Sequence, residues 1–163
     1  MITFLYGDHI EASRNELNRL KQGAKGKEIR SIDGRCLDAT ALTQALSSSS
    51  LFGGDVLVVV EHLFSKLGKK TKLIEKLAEI LSNAAKDTDI ILWEDKELGA
   101  GIIKSLGPSA KAIPFKIPSL IFQFLDGLRP HSAKTLLPVY QKLVATEPEE
   151  LIFTMLTRRI RQL

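Results

Sequence analysis

The sequence predicts an α/β protein: a mostly parallel sheet flanked by helices, followed by a helical segment. Three observations predict it. Short apolar, β-branched runs alternate with amphipathic stretches through the first two-thirds of the 163 residues. The run over 56–60 (Val-Leu-Val-Val-Val) is apolar throughout, as a strand covered on both faces requires. Beyond Pro118 the strand pattern stops and only helical spacing remains.

The elements follow in order. Residues 2–6 read as a buried strand stopped by Gly7-Asp8. Residues 9–20 are helically spaced, with Ala12, Leu17 and Leu20 on one side, and Gly23 and Gly26 end the helix. A weaker strand over 27–32 carries Ile29 and Ile32, and Asp38 is placed to cap a helix over 39–46. After the serine run 47–50 and Leu51-Phe52-Gly53-Gly54 comes the strand 56–60. A helix over 72–85 turns Leu73, Ile74, Leu77, Ile80 and Leu81 inward; a strand over 90–93 closes at Glu94-Asp95. A short helix over 102–106, broken at Gly107-Pro108, leads to a last strand over 110–115. Such alternation implies right-handed crossovers between parallel strands. Leu120, Ile121, Phe124, Leu125 and Leu128 then mark one helix. Leu136, Leu137, Tyr140, Leu143 and Val144 mark a second, and a third runs from Glu147 to the C-terminus. Pro130 and Pro148 punctuate them. The expected domains are therefore 1–116, α/β, and 117–163, helical.

Composition bounds the function. Hydrophobic residues make up 44% and charged residues 26%, with a net charge of +4, which permits nucleic-acid contact without requiring it. The single cysteine, Cys36, rules out an internal disulfide and fits a reducing cytoplasm. No apolar run reaches the roughly 18 to 20 residues of a membrane helix, and the N-terminus lacks the basic region of a signal peptide. A soluble cytoplasmic protein is expected.

Most candidate sites fail on chemistry. A phosphate-binding loop needs converging glycine amides, then Lys and Ser or Thr. After the first strand stands Gly7-Asp8-His9-Ile10-Glu11-Ala12-Ser13, with no Lys, no second Gly and two acids that repel phosphate. Gly68-Lys69-Lys70-Thr71 resembles only the end of such a loop, since Leu63 stands where its first glycine belongs. Glu61, Glu94 and Asp95 end strands, where acids hold magnesium in nucleotide hydrolases; without a phosphate loop they read instead as meeting solvent or capping the next element. His9, His62 and His131 are scattered, without metal-ligand spacing, and read as satisfied or solvated histidines. No nucleophile with a base is visible. No cofactor and no metal are expected.

Two cationic groups are candidates for DNA contact: Lys69, Lys70 and Lys72 beside Lys66 and Lys76, and Arg158, Arg159 and Arg161. The arginines also have a structural explanation at a helix C-terminus. Leu51-Phe52 lies between serines and glycines. It either packs beneath the sheet or serves as an apolar anchor for a partner.

The stretch Ser50-Leu51-Phe52-Gly53-Gly54-Asp55-Val56-Leu57-Val58-Val59-Val60-Glu61 resembles a signature of the delta subunit of bacterial DNA polymerase III. Phe4-Leu5-Tyr6-Gly7-Asp8 is similar to that family's first strand, and Thr88-Asp89-Ile90-Ile91-Leu92-Trp93-Glu94 to its next core strand. The helical tail, through Ile121-Phe122-Gln123-Phe124-Leu125, Glu147-Pro148-Glu149-Glu150-Leu151-Ile152 and Met155 to Leu163, resembles the first helices of the family's collar domain. The resemblance implies an AAA+-like domain with a degenerate phosphate loop. It implies a clamp-loader subunit that binds the sliding clamp without hydrolysing ATP. Such a subunit is a non-catalytic part of a DNA-directed DNA polymerase (nucleotidyltransferase) holoenzyme. Leu51 and Phe52 would be the clamp anchor, with Ser50 and Gly53 shaping the turn. The implied partners are the clamp, other clamp-loader subunits and, through the loader, DNA; no membrane is involved. The chain departs from the family by running from its α/β domain almost directly into collar-like helices, without a lid domain. The competing reading is a degenerate ATPase-like scaffold or regulator that binds protein or DNA but no clamp.

Overall fold

The computed structural model describes residues 1–47, 55–65, 67, 71–108 and 110–161. Its backbone contacts divide into two units, Met1–Lys116 and Ile117–Leu163.

The first unit holds strands β1 (Ile2–Tyr6), β2 (Glu28–Asp33), β3 (Val56–Glu61), β4 (Asp89–Glu94) and β5 (Ala110–Pro114). Its α-helices are α1 (Ile10–Gly23), α2 (Ala39–Ser47), α3 (Thr71–Ala84) and α4 (Ala100–Ser105), and a 3₁₀ turn spans Gly34–Cys36. The strands form one sheet in the order β2-β3-β4-β1-β5, and every ladder is parallel. The α/β architecture expected from the alternating pattern is the one observed.

Parallel strands joined through helices must hide both faces of the sheet. Side chains alternate across it, so each strand supplies two cores. Ile2, Phe4, Val58, Val60, Ile90 and Leu92 point to the face covered by α2, α3 and Leu106. Leu5, Leu57, Val59, Ile91 and Trp93 point to the other face, against Leu17 of α1. The central β3 and β4 therefore read as continuous apolar runs, whereas edge strand β2 alternates between half-buried and exposed.

Local chemistry sets the helix ends. Asp38 caps α2 as expected, its Oδ1 accepting from the Ala41 N–H at 2.7 Å. Helix α1 runs further than its predicted end and includes Gly23; the turn falls at Gly26, whose φ is +87°. Of the expected Ala12, Leu17 and Leu20, only Leu17 is fully buried; Ala12 and Leu20 are half-buried, and Ser13 joins Leu17 in the buried face. A serine at a core position follows from a long-range bond, since its Oγ accepts from the Trp93 Nε1–H at 3.1 Å.

The second unit holds α5 (Ser119–Asp126), α6 (Ala133–Thr146) and α7 (Glu149–Ile160). Its core is Ile121, Phe124, Leu125, Leu143 and Ile152. Phe124 and Tyr140 add a ring contact at 5.5 Å. Pro148 precedes α7 at its N-cap, while Pro138 lies inside α6, where it removes the bond that an N–H would give to the Lys134 carbonyl. No helix among the described residues is long and apolar enough to cross a membrane.

Candidate functional site

All five strands run the same way, so their C-terminal ends share one edge, where ligands bind in open α/β sheets. At the end of β1 the chain turns through Gly7, whose φ of +140° an L side chain rarely adopts. A Cβ there would lie 1.9 Å from the Phe115 carbonyl oxygen. The segment after β5 is stitched to this turn. The Phe115 N–H donates to the Tyr6 carbonyl at 2.7 Å, and the Phe115 carbonyl accepts from the His9 N–H at 3.1 Å.

His9, buried at the start of α1, caps it by accepting from the Ala12 N–H through Nδ1 at 3.3 Å. The His9 carbonyl accepts from the Ser13 N–H at 3.1 Å. Three of the amides that a phosphate would take at a helix N-terminus, those of His9, Ile10 and Ala12, are thus occupied by the chain itself. This turn cannot cradle a phosphate without breaking those bonds.

The ends of β3 and β4 hold the acids. Glu94 is 1% exposed. Its Oε1 accepts from the Phe64 N–H at 2.6 Å, and its Oε2 accepts from the Ser65 hydroxyl. Burial pushes the Glu94 carboxyl above its usual range, opposed by those two donors. The acid therefore fastens the turn after β3 to the end of β4, as an acid capping the next element does.

Asp95 stands beside it, its Oδ1 3.5 Å from His62 Nδ1. His62 has φ +59°, donates its N–H to the Trp93 carbonyl at 2.9 Å and packs edge-on against the Trp93 ring at 4.9 Å. The sequence spacing of the histidines concealed that folding brings His62, Glu94 and Asp95 together. Their donor atoms lie within 4.8 Å of one another, and this is where the described residues could hold a metal ion. The remaining acid, Glu61, accepts an ion pair from Arg14 at 2.8 Å, and the Arg14 guanidinium lies 3.6 Å over the Trp93 ring.

The opposite edge bears the base of the segment that carries Leu51 and Phe52. The Asp55 carbonyl accepts from the Glu28 N–H at 2.9 Å. Lys27 Nζ lies 3.7 Å from Asp55 and 2.6 Å from Asp89. The Lys27 hydrogen bond holds the Asp89 carboxyl below its usual range. These contacts tie the entry to β3 to the starts of β2 and β4.

Ser50, Leu51, Phe52 and Gly53 lie outside the described residues, as do Lys69 and Lys70. Lys72 is exposed in the first turn of α3. Arg158 and Arg159 occupy the last turn of α7, opposite Glu149 and Glu150 in its first, and Arg161 follows at the C-cap. Both ends thereby complement the helix dipole. Arg159 also pairs with Asp126 at 3.3 Å.

A five-stranded parallel sheet with β1 between β4 and β5, flanked by helices and with a closed first turn, defines the class as an α/β domain. Comparison with known proteins narrows the class. The chain belongs to the family described as DNA polymerase III, delta subunit, whose model matches residues 9–112. Among solved structures it is similar to the Bacillus subtilis DNA clamp loader delta protein (YqeN). That match has a TM-score of 0.56 at 16% identity, and covers 77% of this chain and 42% of that one. The chain thus spans less than half the length of that relative. No curated protein matches it.

Proposed function

We propose that this chain is a delta-like clamp-loader subunit that binds the sliding clamp through Leu51 and Phe52, between Ser50 and Gly53, and does not itself hydrolyse ATP. The observation that carries the reading is the family match over residues 9–112, a range that includes the Leu51-Phe52 signature. The stitched turn after β1 supports the second half, because the His9, Ile10 and Ala12 amides are already bonded within the chain. ATP would be hydrolysed by partner subunits of the loader, in the cytoplasm where DNA is replicated. Residues 1–116 serve as the clamp-binding domain, and residues 117–163 as the start of a collar that meets other loader subunits.

The anchor's mechanism is burial. An aromatic and an aliphatic side chain moving from water into an apolar pocket each contribute about 2 kcal/mol or more when they are interface hot spots. Losing both weakens binding by roughly a thousandfold. The test is calorimetric titration of the purified chain with the clamp of its own organism, comparing wild type with Leu51→Ala/Phe52→Ala. Equal affinity in the two proteins would remove the assignment.

The second reading is a scaffold or regulator that binds protein or DNA but no clamp. The net charge of +4 and the exposed Lys72, Arg158 and Arg161 favour it. DNA binding that weakens as salt rises, with no affinity for the clamp, would establish it instead.

A further inference from the structure

We propose that His62, Glu94 and Asp95 form a binding site for a divalent cation of the zinc class, at the C-terminal edge of the sheet. The donor set is one imidazole and two carboxylates, with ligand atoms within 4.8 Å of one another. Imidazole favours zinc-class ions, whereas magnesium and calcium prefer an all-oxygen shell.

The ligands stand on rigid supports. Glu94 is in register with Tyr6 on the β1 ladder, and the His62 backbone is bonded to Trp93 at 2.9 Å. A site held this way needs little reorganisation to bind an ion.

Two further observations support a cation. The first is charge. Neither Glu94 nor Asp95 makes an ion pair with a lysine or arginine among the described residues; Asp95 Oδ1 lies 3.5 Å from His62 Nδ1 and accepts from the Ser65 hydroxyl at 3.5 Å. Glu94 is buried, and its carboxylate oxygens meet neutral donors, the Phe64 N–H and the Ser65 hydroxyl. Each oxygen keeps a second lone pair, so ligation does not require those bonds to break. A buried carboxylate beside a second acid is costly without a compensating positive charge.

The second observation is distance. The 3.5 Å between His62 Nδ1 and Asp95 Oδ1 is longer than the ~2.7–2.9 Å of a charge-assisted hydrogen bond. It is close to the ~3.3 Å that separates two ligands of a tetrahedral zinc with bonds of ~2.0–2.1 Å. The site lies at the opposite edge of the sheet from the entry to β3, so it stands or falls independently of clamp binding.

The experiment strips the full chain with a chelator and titrates it with ZnCl2 by calorimetry at pH 7.5, with Co2+ as an optical probe of the same ligands. Asp95→Asn and His62→Asn are the variants, asparagine being chosen at 62 because it tolerates a positive φ. One ion per chain is expected. Each variant should weaken uptake by at least about tenfold, while the metal-free protein keeps the wild-type circular dichroism spectrum. The absence of saturable zinc uptake, uptake undiminished in either variant, or a preference for Mg2+ or Ca2+ over Zn2+ would overturn the proposal.

Discussion

Glu94→Ala should destabilise the α/β unit by about 2–4 kcal/mol, and Glu94→Gln by no more than about 1 kcal/mol. The magnitude follows from what the carboxylate holds. In the alanine variant the buried Phe64 N–H loses its acceptor, at a cost of about 1–3 kcal/mol. The Ser65 hydroxyl loses its nearer partner and retains Asp95 at 3.5 Å, which adds about 0.5 kcal/mol. The space left by the side chain adds a cavity cost, partly offset because a desolvated carboxylate is no longer buried. Glutamine keeps a carbonyl for Phe64 and turns its amide toward the Ser65 oxygen, which can accept. The two variants should therefore differ by about 2 kcal/mol, close to thirtyfold in the folded-to-unfolded ratio. The assay is urea unfolding at pH 7.5 in the presence of a chelator, followed by Trp93 emission. Trp93 is the sole tryptophan of the chain and is buried in the α/β unit, so its signal excludes the helical unit. An alanine variant with the wild-type midpoint and slope would refute the reasoning, and so would a glutamine variant as unstable as alanine.

Two further outcomes are expected. Gly7→Ala places a Cβ against the Phe115 carbonyl at a φ of +140°, and should cost more than about 3 kcal/mol, read as a large drop in melting temperature. A variant that melts with wild type would show that the β1 turn is not locked to the chain after β5. Asp33 is held down to about 2, first by the Arg35 side-chain hydrogen bond and then by the Arg35 backbone N–H. A depressed carboxyl stabilises the fold above its unfolded value, and that contribution is lost as pH falls from about 4 through about 2. An NMR titration should find Asp33 at that low value and show it rising toward the ordinary aspartate range in Arg35→Ala; an unmoved Asp33 would discount the pair.

The delta-family signature was legible because it is a local pattern. A strand apolar at every position, preceded by Ser-Leu-Phe and followed by Glu, needs no tertiary information to be seen. The His62, Glu94 and Asp95 cluster at the sheet edge was not legible. His62 and Asp95 are far apart in the sequence, and only the β3–β4 ladder, with Glu61 opposite Trp93, carries one to the other. Glu94 read as a strand end facing solvent or capping the next element; the structure selects the cap, with donors that lie thirty positions away. Ser13 was passed over because its partner, Trp93, is eighty positions distant. The spacing of Leu136, Leu137 and Tyr140 showed the helix, and α6 carries Pro138 within it.

By itself the sequence determined where the strands and helices lie, because apolar periodicity and caps such as Asp38 act within a few residues. Only the tertiary structure decided which strands are neighbours, and with them the closure of the β1 turn by Phe115 and the meeting of His62 with Glu94 and Asp95. Those contacts depend on the register of parallel strands joined by long crossovers, and register is settled by packing both faces of the sheet at once.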